Sequence, residues 1–326
     1  MATIRDVAAL AGVSVSTVSI ILNGNARERH IPEATRQRVE EAMRSLSYRP
    51  SRTARALRGK RRPLIALLWV LDERSTFFMR VVRGLSAVAA DPQRPFDFVI
   101  LPYRNGKLAE MLPDLRDEGI TGVLIGALSP QDQALLESAG LSKPVCLLNR
   151  SAESCLCCRT DIGEIGRLAA AFFMDRGCRT VGFVSDRVVL EPKAARRQAV
   201  LQACLGAGIL CPEAAQLKTE NSLSGGLAAA EQMLSLPGSP DGVYLDNEII
   251  AAGFSAACHA WGIEEFPLLA IGLSHPELGR HLHPSISLID VPGEAIGEQG
   301  GRMIAAAVYC EQPPRETICP CRLIRP

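Results

Sequence analysis

Residues 3–22 read TIRDVAALAGVSVSTVSIIL, and this stretch decides the fold of the N-terminal segment. Thr3 is placed to cap a first helix, and apolar residues then recur at the spacing of one helical face. Gly12 follows at the point where a tight turn needs a residue that tolerates positive φ. Ser14 can cap a second helix, with Val18 on its inward side. The spacing predicts a helix-turn-helix whose second helix is available to the major groove of DNA.

A three-helix core is predicted around this motif. The second helix is expected to end at Asn23-Gly24 in the manner of a C-cap, and a third helix follows Pro32. The inward faces are predicted to be Ile4, Val7, Ala8 and Ala11 on the first helix, Val18, Ile21 and Leu22 on the second, and Val39, Ala42, Met43 and Leu46 on the third.

Charge is distributed unevenly along the chain. The formal net charge is +1, but residues 1–62 hold 13 Lys or Arg against 5 Asp or Glu, and the remainder is net acidic. A basic head on an acidic body is typical of a nucleic-acid-binding segment joined to a globular partner domain. The alternative is a solvated basic surface with no such role.

Composition excludes several classes of protein. The chain has 326 residues, of which 47% are hydrophobic and 22% charged, values of a folded chain with a sizeable core and not of a disordered one. No apolar stretch approaches the roughly 20 residues that cross a bilayer. An acidic residue at position 6 argues against a signal peptide, so we expect a cytoplasmic protein with reduced thiols at its eleven cysteines.

The remainder of the chain has the pattern of an α/β protein. Residues 49–62 are basic and poor in large apolar side chains, which predicts a linker. Beyond them, helical patterns such as Ile162, Ile165, Ala169, Phe172 and Phe173 alternate with apolar runs, which predicts parallel sheets covered by helices on both faces. Strands are predicted at Ile65–Leu71, Phe96–Pro102, Gly122–Leu128, Pro144–Asn149, Thr180–Ser185, Gly242–Asp246, Leu268–Leu273 and Ile286–Val291.

The sequence resembles the LacI (lactose-repressor) family of transcription regulators. The head carries the resemblance most closely, through Ile4–Ser19, Leu22–Gly24, Thr35–Val39, Leu46–Pro50 and Ala54–Leu57. In the body it rests on Phe77–Leu85, Asp161–Gly166, Arg196, Asp246–Glu248, Pro284–Ser287 and Arg322–Arg325.

The resemblance implies an α helix-turn-helix head joined to an α/β body. That body would be periplasmic-binding-protein-like, with two doubly wound subdomains. The implied domains are residues 1–49 for the DNA-binding head, 50–62 for a hinge helix, and 63–326 for effector binding and dimerisation. Within the body, the N-subdomain would span about 63–160 and 291–315, and the C-subdomain about 161–290 and 316–326.

The resemblance also implies how DNA is contacted. Val15 and Ser16 would read bases, while a hinge helix over residues 51–58 would insert Leu57 into the minor groove. Leu57 could instead pack on its own domain. Ile20 stands where the family usually has Arg, so it could contact a thymine methyl but not donate to guanine, or it could rest against a partner head. The full expected set is Thr3, Ser14, Val15, Ser16, Thr17, Ser19, Ile20, Asn23, Arg36, Arg52, Ala54, Arg55 and Leu57.

Six residues are implied for an effector pocket in the body: Phe77, Phe78, Asn149, Arg150, Arg196 and Glu248. Arginine donors and a carboxylate suit hydroxyl groups, and aromatic faces suit apolar ring surface. The alternatives are core packing for the two phenylalanines, turn chemistry for Asn149, and a first-turn helix acid for Glu248. Ser75-Thr76, Ile162 and Ser274-His275 depart from the family pattern, so an atypical effector or a weak response stays open.

These observations predict a sequence-specific transcription regulator. The resemblance implies that it is a repressor, since repression is the usual effect of regulators in that family. Its partners would be double-stranded DNA with a pseudopalindromic site, a carbohydrate or other metabolite as effector, and a second copy in a homodimer, or further copies in a tetramer. A solute-binding receptor with the same body fold is the first rival. An enzyme is the second, but the chain has no GxGxxG, GxxxxGK[ST], GxSxG or HExxH motif, and we expect neither enzymatic activity nor a cofactor.

Cysteine and histidine spacing gives only a weak metal signal. Cys155 and Cys158 have ligand spacing, and His275, His281 and His283 could add nitrogen ligands, but no second CxxC completes a four-ligand site. We therefore expect no metal site, and treat the cysteines as small hydrophobic residues.

Overall fold

The computed structural model describes residues 4–22, 29–46, 62–70, 76–126, 128–187, 191–275 and 277–326. The chain divides into two compact units, Met1–Arg62 and Pro63–Pro326, which are described separately below.

The first unit contains the three helices that the apolar spacing predicts. They are α1 Ile4–Ala11, α2 Val15–Leu22 and α3 Glu33–Ser45. Their buried core comprises Val7, Ala8, Ala11, Val18, Val39 and Ala42, with Val13, Ile21, Met43 and Leu46 packed around it. Gly12 turns the chain between α1 and α2 with φ of 64°, which confirms the predicted positive-φ turn. The expected caps at Thr3 and Asn23-Gly24, and the side chains of Ile4 and Leu22, lie outside the described residues.

The second unit alternates strands and helices, as predicted. In chain order its elements are β1 Leu64–Val70, α4 Thr76–Ala89, β2 Asp97–Tyr103, α5 Leu108–Arg116, β3 Gly122–Gly126, α6 Pro130–Ser138, β4 Val145–Leu148, β5 Leu156–Arg159, α7 Ile162–Asp175, β6 Val181–Asp186, α8 Glu191–Gly206, β7 Gln216–Thr219, α9 Leu223–Leu234, β8 Gly242–Leu245, α10 Glu248–Ala260, β9 Leu268–Gly272, β10 Ile286–Asp290, α11 Gly293–Val308, β11 Glu316–Ile318 and β12 Arg322–Ile324.

These elements form two sheets, each the centre of one subdomain. The order is β11-β5-β4-β3-β1-β2 in the first sheet and β12-β10-β9-β8-β6-β7 in the second. All neighbours pair in parallel except β12, which runs antiparallel to β10. In both sheets the strand order reverses direction along the chain, and such a switch point opens a crevice at the carboxyl ends of the strands.

The C-terminal segment departs from the expected subdomain boundary. The resemblance implies that residues 316–326 lie as a whole in the C-subdomain. In the structure, β11 instead pairs with β5 in the first sheet, with Thr317 opposite Cys158. Only β12 joins the second sheet. The chain therefore passes from the first subdomain to the second for the last time after Ile318, because β11 covers the open edge of β5.

All eight predicted strands are present within two residues of their expected bounds. Of the other four strands, β12 falls within Arg322–Arg325, a stretch that carries the family resemblance. The strands β5, β7 and β11 were not predicted, because sequences such as Gln216–Thr219 have no apolar run of strand length. The helix predicted from Ile162 onward is α7.

Helices α4 and α11 pack closely on the first sheet. A Cβ at Gly84 would clash with the backbone carbonyl of Glu294, and a Cβ at Gly297 would clash with that of Val81. The two backbones approach each other only because both positions lack a side chain. Among the described residues, no helix is both long enough and apolar enough to span a membrane.

Candidate functional site

The first candidate site is the outer face of α2 in the head. Ser14 caps the helix, since its Oγ accepts a hydrogen bond from the Thr17 backbone N–H at 3.0 Å, and the two hydroxyl groups lie 2.9 Å apart. Val18 is fully buried, whereas Val15 and Ser16 near the N-terminus of the helix are exposed, Val15 by 39%. The residues predicted to read bases therefore face solvent while Val18 fixes the helix to the core.

Two further described head residues are expected to contact DNA, Arg36 on α3 and Ile20 on α2. Arg36 forms ion pairs with Glu33 at 3.0 Å and Glu40 at 3.1 Å on the surface of α3. Such exposed pairs contribute only about 0–1 kcal/mol, so Arg36 can exchange them for a phosphate at small cost. Ile20 is half-buried. Thr3, Asn23, Arg52, Ala54, Arg55 and Leu57, and the side chain of Ser19, lie outside the described residues, and their roles stay predictions.

The second candidate site is a cavity of about 200 Å³ in the body. It lies at the carboxyl ends of β4 and β5, where the chain crosses from the first sheet into α7, and α8 of the second subdomain closes it. Its lining comprises Gln133, Asn149, Arg150, Ser151, Arg159, Thr160, Ile162, Ala195 and Arg196. Three of the six residues implied for the effector pocket thus meet in one place: Asn149, Arg150 and Arg196.

Asn149 combines a turn role with a place in the cavity wall. Its φ of 56° is left-handed, a conformation in which asparagine is favoured over most residues. Its backbone N–H donates to the carbonyl of Cys158 at 2.7 Å, and its Oδ1 accepts from the Thr160 hydroxyl at 3.2 Å. The side chain is therefore held in a fixed position beside the buried Arg150.

Arg196 is the most informative group in the cavity. It is 7% exposed, yet among the described residues its guanidinium makes no hydrogen bond and no ion pair. The nearby buried carboxyl is Asp246, whose pKa is raised by burial, although Arg196 and Lys193 act to lower it. Arg196 thus lines the cavity with donor groups that no described protein group uses, and its role in effector binding stays a prediction.

Phe77 and Phe78 pack in the core of the first subdomain. Phe78 is buried, with its ring centroid 5.3 Å from that of Trp69, and Phe77 lies 6.1 Å from the same ring. Neither is among the described residues that line the cavity. Their packing on Trp69 fits the core alternative, and a role for either ring as a pocket wall stays a prediction.

Glu248 also does not reach the cavity. It is buried at the N-terminus of α10, where its carboxylate accepts the backbone N–H groups of Leu273 at 2.6 Å and Ser274 at 2.8 Å. The preceding Asn247 caps the same helix through its Oδ1, at 3.0 Å from the N–H groups of Ile249 and Ile250. Glu248 therefore fixes the loop after β9 to α10. This placement fits the alternative in which Glu248 is an acidic residue in the first turn of a helix, and it adds a positioning role.

A second cavity of about 440 Å³ lies at the carboxyl ends of β6 and β8. Its lining includes Ser185, Asp186, Lys193, Arg197 and Asp246. Lys193 and Asp186 form a buried ion pair at 2.6 Å. Apart from Asp246, which lies in the Asp246–Glu248 stretch quoted above, sequence reasoning missed these groups, since they come from separate segments that no single motif contains.

Sequence reasoning also missed the role of Arg80 on α4. This buried guanidinium donates to Asp290 at 2.8 Å, to the Val291 carbonyl at 3.1 Å, and to Glu294 at 3.0 and 3.1 Å. Burial by itself lowers its pKa, but the two carboxylates outweigh that effect and raise the pKa. Because α4 belongs to the first subdomain and Asp290 ends a strand of the second, Arg80 ties the subdomains together at the crossing. The only signal in the sequence is an arginine within an apolar helix face.

The cysteines form no recognisable centre. All eleven are free thiols, and the Sγ atoms of Cys158 and Cys319 lie 3.6 Å apart in the core. In the part of the chain that the structure describes, no group of three or more His, Cys, Asp or Glu side chains is arranged to hold a metal ion.

Two family models match the chain. The model described as bacterial regulatory proteins, lacI family, matches residues 3–51, and that of the periplasmic binding protein-like domain matches residues 170–325. The ribose operon repressor of Escherichia coli (strain K12) is 26% identical over 307 residues, which cover 91% of this chain and 90% of that protein. The transcriptional repressor PurR of Edwardsiella ictaluri (strain 93-146) is 25% identical over 326 residues, covering 98% and 94%.

Solved structures agree on the architecture. The lac repressor dimer bound to operator and the anti-inducer ONPF is similar with a TM-score of 0.83 and 21% identity, over 99% of this chain and 98% of that one. A complex of the transcriptional regulator CelR with cellobiose is similar with a TM-score of 0.67 and 22% identity. At these identities the solved structures show only that the fold is shared. The match to the head and the curated relatives show which proteins the chain is similar to in sequence. The chain thus combines a head that matches the lacI family of bacterial regulatory proteins with a body that matches the periplasmic binding protein-like domain.

Proposed function

We propose that this chain is a sequence-specific DNA-binding transcription regulator that acts as a homodimer and is controlled by a small molecule bound in the body. The observation that carries the proposal is the exposed N-terminal end of α2, with Val15 and Ser16 outward, Ser14 as cap and Val18 anchored in the core. A helix held in this way can enter the major groove without rearranging its own domain.

Repression is the proposed sign of regulation, because the relatives above carry the names of repressors. Two heads related by two-fold symmetry would bind two half-sites of a pseudopalindrome. The cavity at Arg150 and Arg196 lies between the subdomains, so a ligand there stabilises one relative placement of the two sheets. Effector and DNA affinities would then be linked reciprocally.

The DNA-reading claim is tested by selecting sites from a randomised duplex library with the full chain. We expect one preferred half-site sequence, and an affinity for it that falls steeply as salt rises. Ser16→Ala should weaken binding to the selected site roughly tenfold, since a base contact contributes about 1–3 kcal/mol. Ser45→Ala, on α3 where the hydroxyl bonds the Ala42 carbonyl, is the matched control and should change little. Equal, feeble affinity for every duplex would refute the proposal and leave the solute-receptor alternative.

The hinge claim has its own test, since it rests on the family resemblance. We propose that Leu57 wedges into the minor groove at the centre of the site. Leu57→Ala should then weaken binding to the selected site far more than binding to random DNA. An equal loss on both would remove the wedge from the proposal.

A further inference from the structure

The walls of the 200 Å³ cavity are strongly cationic. Three arginines line it, Arg150, Arg159 and Arg196, and no aspartate or glutamate is among the described lining residues. The uncharged polar groups of the lining, such as Asn149 and Thr160, can serve hydroxyl groups.

Only part of this charge is matched within the protein. Arg159 forms a bidentate pair with Glu316, at 2.6 and 3.1 Å, on the adjacent strand β11. Arg196 is 7% exposed and, among the described residues, has no carboxylate within ion-pair distance and no hydrogen-bond acceptor. A guanidinium offers several donors in a planar fork that fits the oxygens of a carboxylate or phosphate.

The cavity also limits the size of the ligand. At about 30 Å³ for each water molecule, 200 Å³ corresponds to roughly seven waters. This volume suits a compact metabolite. The ligand that would satisfy both the charge and the volume is a small oxyanion-bearing molecule.

We propose that the effector of this chain is an anion, a small metabolite whose phosphate or carboxylate group is bound by Arg196 with Arg150 beside it. The inference rests on the proposed function and specifies the ligand class of the same cavity. The oxyanion supplies the direct partner that Arg196 lacks among the described residues, where Asp246 acts on it only from beyond ion-pair distance. The hydroxyl groups of the same molecule meet Asn149 and Thr160.

The experiment compares matched neutral and anionic probes on the full chain. Ribose is paired with ribose 5-phosphate, and glucose with glucose 6-phosphate. Inorganic phosphate is compared with chloride at equal ionic strength. Melting temperature and titration calorimetry measure binding. We expect the phosphorylated member of at least one pair to bind at least a hundredfold more tightly than its neutral partner, and phosphate to raise the melting temperature where chloride does not.

Two variants test whether the tighter binding of anionic probes depends on the cavity. Arg196→Gln should raise the Kd of the phosphorylated probe by about tenfold to a hundredfold, the range for a hydrogen bond to a charged group. Arg302→Gln removes the same charge from α11, where the side chain is half-exposed and pairs with Glu298, and should leave the Kd unchanged. An equal loss in both variants would overturn the proposal, because the effect would then be one of overall charge.

The remaining outcomes separate the two proposals. If a neutral sugar binds as tightly as its phosphate, or if no anion shifts the melting temperature, the anionic-effector proposal is overturned. The regulator proposal survives either result when the chain still selects a DNA site. If anions bind through Arg196 but no duplex is selected, the anion site stands and the regulator proposal fails.

Discussion

Replacing Arg80 tests whether the crossing between the subdomains is held by a buried ion network. The Arg80 side chain is 10% exposed and Asp290 is 15% exposed, so Arg80→Met leaves a carboxylate that is nearly buried without its cation. Breaking a buried pair from one side costs about 3–5 kcal/mol. Glu294 is 39% exposed and water can solvate it, so its share is small and we expect about 3 kcal/mol in total.

Arg83→Met is the matched control on the same helix. Arg83 pairs with the same Glu294 at 3.1 Å, but its side chain is 77% exposed, and we expect a loss of at most about 1 kcal/mol. Urea unfolding of the full chain, followed by tryptophan fluorescence, measures both variants. In the double variant Arg80→Met/Asp290→Asn, the second change should restore part of the loss, because it removes the stranded charge. A loss for Arg80→Met no greater than that for Arg83→Met would refute the reasoning.

Three further predictions concern packing, pH and base reading. Gly84→Ala should lower the free energy of unfolding by about 1–3 kcal/mol, measured by thermal melting, because its Cβ would meet the Glu294 carbonyl and force α4 from α11. Burial tends to raise the pKa of Asp241, but two backbone N–H donors hold it below its usual value. Stability should therefore fall as pH drops through that lowered pKa, and Asp241→Asn should flatten the acid limb of the pH–stability profile. Ile20→Arg should shift the selected site towards guanine at one position, as read by repeating the duplex selection; an unchanged site would mean that residue 20 contacts no base.

Much of the fold could be predicted because it depends on short-range spacing. The head follows from residues within one or two helical turns of each other, such as Ala8, Gly12 and Val18, and the structure buries or turns them as expected. Buried parallel strands are visible as apolar runs for the same reason. The short strands β5, β7 and β11 have too few residues to show a pattern, and β11 exists because β5 offers it an open edge.

The candidate site was predictable only in part. Arg150 and Arg196 were singled out individually, but only the folded body brings them to one cavity. Arg150 follows β4, whereas Arg196 lies on α8. The sequence shows only that Glu248 is a carboxylate, which could bind a ligand or a loop. The folded structure places its oxygens against the backbone N–H groups of Leu273 and Ser274. Phe78 likewise goes to the core because Trp69 lies beside it.

The sequence by itself determined the helix-turn-helix head and the α/β character of the body, because periodicity and contiguous motifs carry this information. The tertiary structure alone decided which charges are paired. Arg80 pairs with Asp290 of the other subdomain, while Arg196 has no ion pair among the described residues. The physical reason is that pairing and desolvation depend on distances between segments remote in the chain, and residue order does not contain those distances.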